Sequence, residues 1–441
     1  MMRSMFSGVS GLKAHQEKMD VIGNNIANVN TVGFKSGRVT FQEVYSQTVK
    51  GSGGADSATG RAGTNPMQIG LGVGVGSIDT IMTRGSSERT DNPTDLSIEG
   101  DGFFIVKGSS NDTYQFTRAG NFAIDELGNL NLNGKSVCGW EYDNNLKDYN
   151  TNSTAKGINL YSNTNDGTSK KEIAAKATDT VKLGGNLDSK TDPLNPVQVP
   201  MVVYDKLGNE YKVTMNFTKV APAAGDTKIK WNMTVGGMTD FNGNTVAAAN
   251  LPTLNAATSV VFNADGTISN AAGDTTQGIT LTFPNQGIGS DTFTVSNFSV
   301  QGLTGFSSDS TAKPTDVNGY PSGTLTTFNV GTDGIITGIY SNGEQQSLGM
   351  VALATFPNPG GLTKVGDNLF IPSTNSGPYT KGVKPGTDGA GTLNPGTLEM
   401  SNVDLSKEFT DMIITQRGFQ ANSRIITTSD EMLQELVNLK R

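Results

Sequence analysis

A chain of 441 residues, with 35% hydrophobic side chains, 55 glycines and two tryptophans, is too long for one core and is built for many short strands and turns around modest cores. Its net charge of -8, with no basic run longer than Lys170 and Lys171, argues against nucleic acid as a partner. One histidine and one cysteine remove His-based triads, most zinc sites and any internal disulfide.

The chain opens on a helix expected from residue 2 to about 29. Met5, Val9, Leu12, Gln16, Met19, Gly23 and Ile26 recur in steps of four and three, the period of a coiled-coil seam, and Ile22 and Val29 widen the stripe. The Asn28 to Gly33 stretch ends it. Gly23, Asn24 and Asn25 inside it each cost roughly 0.7 to 1 kcal/mol relative to Ala, so this helix needs a partner. His15, next to the stripe, is expected on exposed surface. Residues 1–34 form the N-terminal helix segment and 35–93 an extended connector, Gly- and Ser-rich from Gly51 to Gly63. There Ile69, Leu71, Val73 and Val75 alternate with Gly70, Gly72, Gly74 and Gly76, which sets apolar residues on one face and bare backbone on the other.

From about Thr94 the signals are hairpins, with a turn of Asp plus Gly recurring at Asp125 to Gly128, Asp205 to Gly208, Asp265 to Gly266 and Asp333 to Gly334. Polar stretches near Asn150 and from Ser307 to Thr315 divide this region. Residues 94–150 and 316–372 then make an outer β-domain and 151–315 a β-domain inserted into it. A second connector, 373–398, precedes the C-terminal segment 399–441. That segment carries Leu405, Phe409, Met412, Gln416, Phe419, Ser423, Ile426, Asp430, Leu433 and Val437 at the same 3.5-residue period, widened by Ile413 and Leu436. All 16 prolines fall between Pro66 and Pro395. The fold class expected is multidomain, a terminal α-helical coiled coil plus mainly-β nested domains, with the layers repeated in reverse so that the two ends meet. Two amphipathic helices packed on an ordinary globular core are the plainer reading of the same stripes.

No catalytic chemistry emerges. Gly128 to Ser136 has five residues rather than four between its glycines and reads as a strand, so it is no phosphate loop. Asp91, Asp95, Asp101 and Asp125 suit turn capping, and the Asn-x-Ser/Thr matches at Asn111, Asn216, Asn232 and Asn297 are those expected by chance. Cys138, beside Val137 and Trp140, reads as a buried small hydrophobe. No cofactor or metal site is expected, no run of ~18 apolar residues spans a membrane, and the first residues lack the apolar core of a cleaved signal. The apolar faces are wider than one two-helix seam, so neighbouring copies of the chain are their natural cover. The ends are expected to be disordered in the monomer and helical in an assembly, through heterologous contacts that give a filament or tube.

The motifs narrow this further. Ser7-Gly8-Val9-Ser10-Gly11-Leu12, Asp20 to Thr31 with Asn24, Asn25 and Asn28, Gly33-Phe34-Lys35, Gly100-Asp101-Gly102-Phe103-Phe104, Glu399 to Leu405, and the run from Gln416-Arg417 to Asn422 resemble the bacterial flagellar axial family of rod and hook proteins. Val203 to Asn209 and Tyr340 to Gly343 resemble its hook members in particular. The resemblance implies a structural subunit, located in the extracellular flagellum and exported without a cleaved signal peptide through a type III apparatus. Such a subunit polymerises with itself into a curved tube on the rod, beneath a hook cap, and meets hook–filament junction proteins. Phe41 and Tyr45, four apart, fit an export-gate motif of the family. Some members cross-link through a cysteine and a lysine, but the surroundings of Cys138 match no such chemistry. A distal rod protein, a hook-associated protein or, from another class, a β-rich secreted adhesin are the competing readings.

Overall fold

In the computed structural model of the chain, the structure describes residues 2–55, 60–108, 113–143, 148–161, 169–221, 228–255, 259–269, 279–284 and 292–439. Asn111 lies outside them. Two compact units divide the chain, one made of Met1–Leu160, Phe328–Thr337 and Ser347–Arg441, the other of Tyr161–Thr327 and Gly338–Gln346.

In the first unit the ends are helices, α1 (Met2–Ala27) and α2 (Leu405–Asn438). Asp404 caps α2, its carboxylate accepting from the Ser406 and Lys407 amides at 2.9 and 3.3 Å. Behind α1 the segment expected as an extended connector contains strands. β1 (Gly37–Glu43) is followed by β2 (Ser46–Lys50), β3 (Met67–Gly70) and β4 (Val73–Thr80), and β1 pairs with β4 while β2 pairs with β3, both antiparallel. Of the alternating glycines, Gly72 lets the chain entering β4 lie close to α1: a Cβ there, where φ is +127°, would stand 2.2 Å from Ser10 Oγ.

Two further strands, β5 (Ser87–Arg89) and β6 (Leu96–Glu99), take their partners from the far end of the chain, Thr397–Glu399 and Thr392–Pro395. β7 (Phe103–Lys107) and β8 (Gln115–Thr117) start the main sheet, to which Lys135–Trp140, Leu353–Ala354 and Leu369–Ile371 add. Phe103, Phe104, Ile105 and Val106 run consecutively buried, because β7 is covered on both faces. Phe103, Phe116, Phe356 and Phe370 pack edge to face at 4.8 to 6.0 Å. Cys138 is buried in this cluster, and burial pushes its thiol up to about 12, which disfavours the thiolate.

The second unit folds around two sheets sharing one core. Val197–Tyr204, Glu210–Lys219, Ile229–Thr239 and Ser259–Phe262 form an antiparallel sheet in chain order. The other sheet is mixed, with Thr180–Asn186 parallel to Phe293–Thr304 and antiparallel to Lys313–Val317. Along one strand Tyr211, Val213, Met215 and Phe217 all point inward and are fully buried, the period of two expected of a half-covered sheet.

One turn chemistry recurs in both units. Gly128, Gly208, Gly266 and Gly334 take φ of +85°, +87°, +79° and +81°. The aspartates Asp125, Asp205, Asp265 and Asp333 accept from the amides of Asn129, Asn209, Thr267 and Ile335.

Candidate functional site: the terminal helix pair and its buried clamp

The helices α1 and α2 run antiparallel, as the order of their contacts requires. A Cβ at Gly8 would stand 3.3 Å from Ile426, one at Gly11 2.8 Å from the Asn422 amide, and one at Gly418 2.7 Å from the His15 ring. Further along, Lys18 Nζ meets Asp411 Oδ1 at 3.3 Å and Asn25 Nδ2 donates to Glu408 Oε1 at 3.1 Å. Glycine, asparagine and polar residues therefore make most of the seam, with one stripe residue, Ile426, among them: Gly8, Gly11, His15, Lys18 and Asn25 against Ile426, Asn422, Gly418, Asp411 and Glu408. The backbones approach because three of these positions have no side chain.

This seam has the expected steps of three and four, yet it lies one residue away from the apolar stripe on each helix, about 100° round the cylinder. Because the glycine line takes the partner, the apolar line is left beside it. Val9 is 54% exposed, Leu405 39%, Phe409 49%, Phe419 39% and Val437 66%. Met5, Leu12, Met19, Ile26, Val29, Met412, Ile426 and Leu433 are half-buried, and Ile22 is buried. Phe6, Ile413 and Ile414 add to the open surface. His15 is half-buried rather than exposed: its Nδ1 is out of solvent without a partner, and its ring stands edge-on to Phe41 at 5.6 Å. Steric fit against Gly418 places it there.

Where α1 ends, the backbone is held by side chains from both termini. Asn25 bridges Gly37, donating to its carbonyl and accepting from its amide at 2.9 Å each. Glu399 is fully buried and accepts from Lys35 Nζ at 2.5 Å, the Gly85 amide at 3.2 Å and Arg118 Nη1 at 3.2 Å, while its carbonyl accepts from the Gly33 amide at 2.7 Å. Lys35 also donates to the Thr83 carbonyl at 2.9 Å, and Arg118 Nη2 to the Gly100 carbonyl at 3.0 Å. Burial lowers the Lys35 ammonium from its ordinary value and Glu399 pulls it back. Asn402 fastens the same corner, accepting from the Ser36 amide and donating to the Ile81 carbonyl. Gly33 sits at φ +69°, 2.5 Å from the Ala119 amide had it a Cβ, so no other residue fits. Phe34 is buried beneath the Lys364 ammonium.

The remaining motif residues are peripheral. Asn24 and Asn28 bond each other on exposed surface. Gln416 is exposed, Arg417 reaches Gln420 on the outside, and Asn422 lies on Gly11 and donates to the Gly418 carbonyl at 3.0 Å. Phe41 and Tyr45 are 39% and 64% exposed, one on β1 and one just past it. The residues that sequence reasoning missed are Arg118, Glu408 and the glycine line. For the glycines of α1 a signal existed, since Gly8 and Gly11 are spaced three apart, one residue off the apolar stripe. Among the described residues no cluster of His, Cys, Asp and Glu could hold a metal, and no helix is long and apolar enough to cross a membrane. What the arrangement offers is a mechanical join with a sticky flank.

Comparison with known proteins agrees in every region. Family models described as Flagella basal body rod protein, Flagellar hook protein FlgE/F/G D1 domain, Flagellar basal body protein FlaE D2 domain and Flagellar basal body rod FlgEFG protein C-terminal match residues 5–35, 97–164, 175–320 and 394–439. The flagellar hook proteins FlgE of Borreliella burgdorferi and Treponema pallidum are each 39% identical over all of this chain and all of their own. The flagellar basal-body rod protein FlgG of Bacillus subtilis is 32% identical, again over the whole of both chains.

Proposed function

The chain belongs to the flagellar hook protein family, and on that premise we propose that its exposed apolar helix flank is the surface through which it polymerises into the curved tube of the hook. It is a structural subunit of the extracellular hook and not an enzyme. The single observation carrying the proposal is the separation of two lines on the terminal helices, a glycine line closed within the chain and an apolar line left open. A surface of Phe6, Val9, Phe409, Ile413 and Phe419 is stabilised by removal from water at about 25 cal/mol per Å², and a second copy brings the same surface. Contacts between unlike faces propagate without closing.

In this reading the terminal pair, as a coiled coil, lines the tube, and the nested β-domains lie further out, the inserted one outermost. The Glu399 clamp makes the helix pair and the first unit move together, so torque applied at the rod passes along the inner wall while the tube bends, as in a universal joint. Rod, hook cap, junction proteins and the type III export apparatus are the partners, and Phe41 and Tyr45 are the segment that would meet an export gate.

Polymerisation of the purified full chain, followed by light scattering with circular dichroism and then electron microscopy, tests this. Curved tubes appearing with a gain of helix support it; a monomer already helical at micromolar concentration, with no tubes on seeding, sinks it. The full-length likeness to a rod protein favours a second reading, a rod-type subunit, for which the same images would record straight tubes.

A further inference from the structure

His15 is the only histidine in the chain, and it sits half-buried in the middle of the α1–α2 seam. Its ring fills the space a side chain at Gly418 would need and meets the Phe41 edge from β1, so three elements converge on it. Nδ1 is buried with no hydrogen-bond partner. A neutral imidazole tolerates this with one idle lone pair. An imidazolium carries an N–H on both nitrogens, and the one on Nδ1 would be a charged donor buried without an acceptor, the costliest kind of unmet bond.

The charges around it do not help a cation. From α1, Lys18 acts on the ring and repels a second positive charge. On α2, Asp411 is already taken by Lys18, and Arg417 is exposed and held by Gln420. On β1, Arg38 is exposed and paired with Asp79, and Glu43 is exposed toward solvent.

We propose that His15 is a proton-sensitive wedge: when its ring takes up a proton, α1 parts from α2 at Gly418, and an assembly held by these helices comes apart in mild acid. Burial, then Lys18, lower the ring's pKa from its ordinary value. A proton then binds better once the seam is open. Stability is therefore whole above the unfolded value of about 6.5 and falls between that value and the lowered one, the opening equilibrium rising by up to about tenfold per pH unit in that window.

The inference rests on the polymer proposed above, and its test separates the two. Polymers of the full chain and of His15→Gln would be formed at about pH 7.5 and stepped towards pH 5 under light scattering. The wild type coming apart at a pH higher than the variant supports the wedge, and equal midpoints overturn it. No polymer from the wild type at any pH would instead sink the hook reading. If only the variant fails to assemble, NMR of ¹³C-histidine in wild-type polymers decides, since a single imidazole gives a single titration. A midpoint below 6.5 that coincides with disassembly supports the wedge, and an ordinary midpoint refutes it.

Discussion

The core of the second unit and the terminal helix pair use apolar residues in opposite ways. Trp231, Tyr211 and Phe217 are fully buried in a core that the two sheets of that unit share. On the helices Phe6 is 66% exposed, Ile413 58% and Phe409 49%, while the residues packed between them are glycine, asparagine and charged pairs. A buried large side chain reports a completed core; an exposed one beside a tightly closed seam reports a surface still waiting for a neighbour. Composition alone does not separate these cases, because both regions are comparably apolar. What separates them is whether small residues have already claimed the contact.

The contrast can be broken most sharply in stability at the second unit. Trp231→Ala should cost about 3 to 5 kcal/mol there, lowering one calorimetric transition of the full chain while leaving that of the first unit in place; a shift of both would show the units to be one cooperative block. Glu399→Gln strands the buried Lys35 and Arg118 charges and should cost about 3 to 5 kcal/mol in the first unit, read by urea denaturation. A loss under 1 kcal/mol would mean the clamp is no clamp. Gly418→Ala forces a methyl against His15 and should cost about 1 to 3 kcal/mol, with a matching fall in helix signal of the assembled protein. Asp404→Ala removes the α2 cap, for about 1 kcal/mol. Smallest in stability, within about 0.5 kcal/mol, is the double change Phe409→Ser with Ile413→Ser on exposed positions. It should nonetheless abolish polymerisation; tubes forming at the wild-type rate would show that the open flank is idle.

Much of this was legible in the chain itself. Helices confined to the ends follow from the distribution of proline and the 3.5-residue period, and the turns at Asp125, Asp205, Asp265 and Asp333 follow from the paired glycines. The line on which the helices meet was not, since placing Val9 and Phe409 inward assumes that the intrachain contact claims the apolar positions first. Gly8 and Gly11 on one helix and Gly418 on the other carried the contrary signal, each a single residue off its apolar stripe. His15 follows the same pattern: it lies one residue off the apolar stripe, and the space left by a glycine on the other helix takes its ring, so that it is half-buried rather than exposed. The clamp was beyond reach of any local pattern, because Lys35 and Glu399 are 364 residues apart and Arg118 and Glu399 281.

The distance between those partners also fixes an order of events. β5 and β6 have their strand partners at Thr397–Glu399 and Thr392–Pro395, and Ser97 bonds Thr397 across 300 residues. A chain emerging N-terminus first must leave that corner open until nearly its last residues arrive, whereas the second unit draws only on Tyr161–Thr327 and Gly338–Gln346 and closes sooner. That corner of the first unit is thus the slowest to finish, because its strand partners come from opposite ends of the chain.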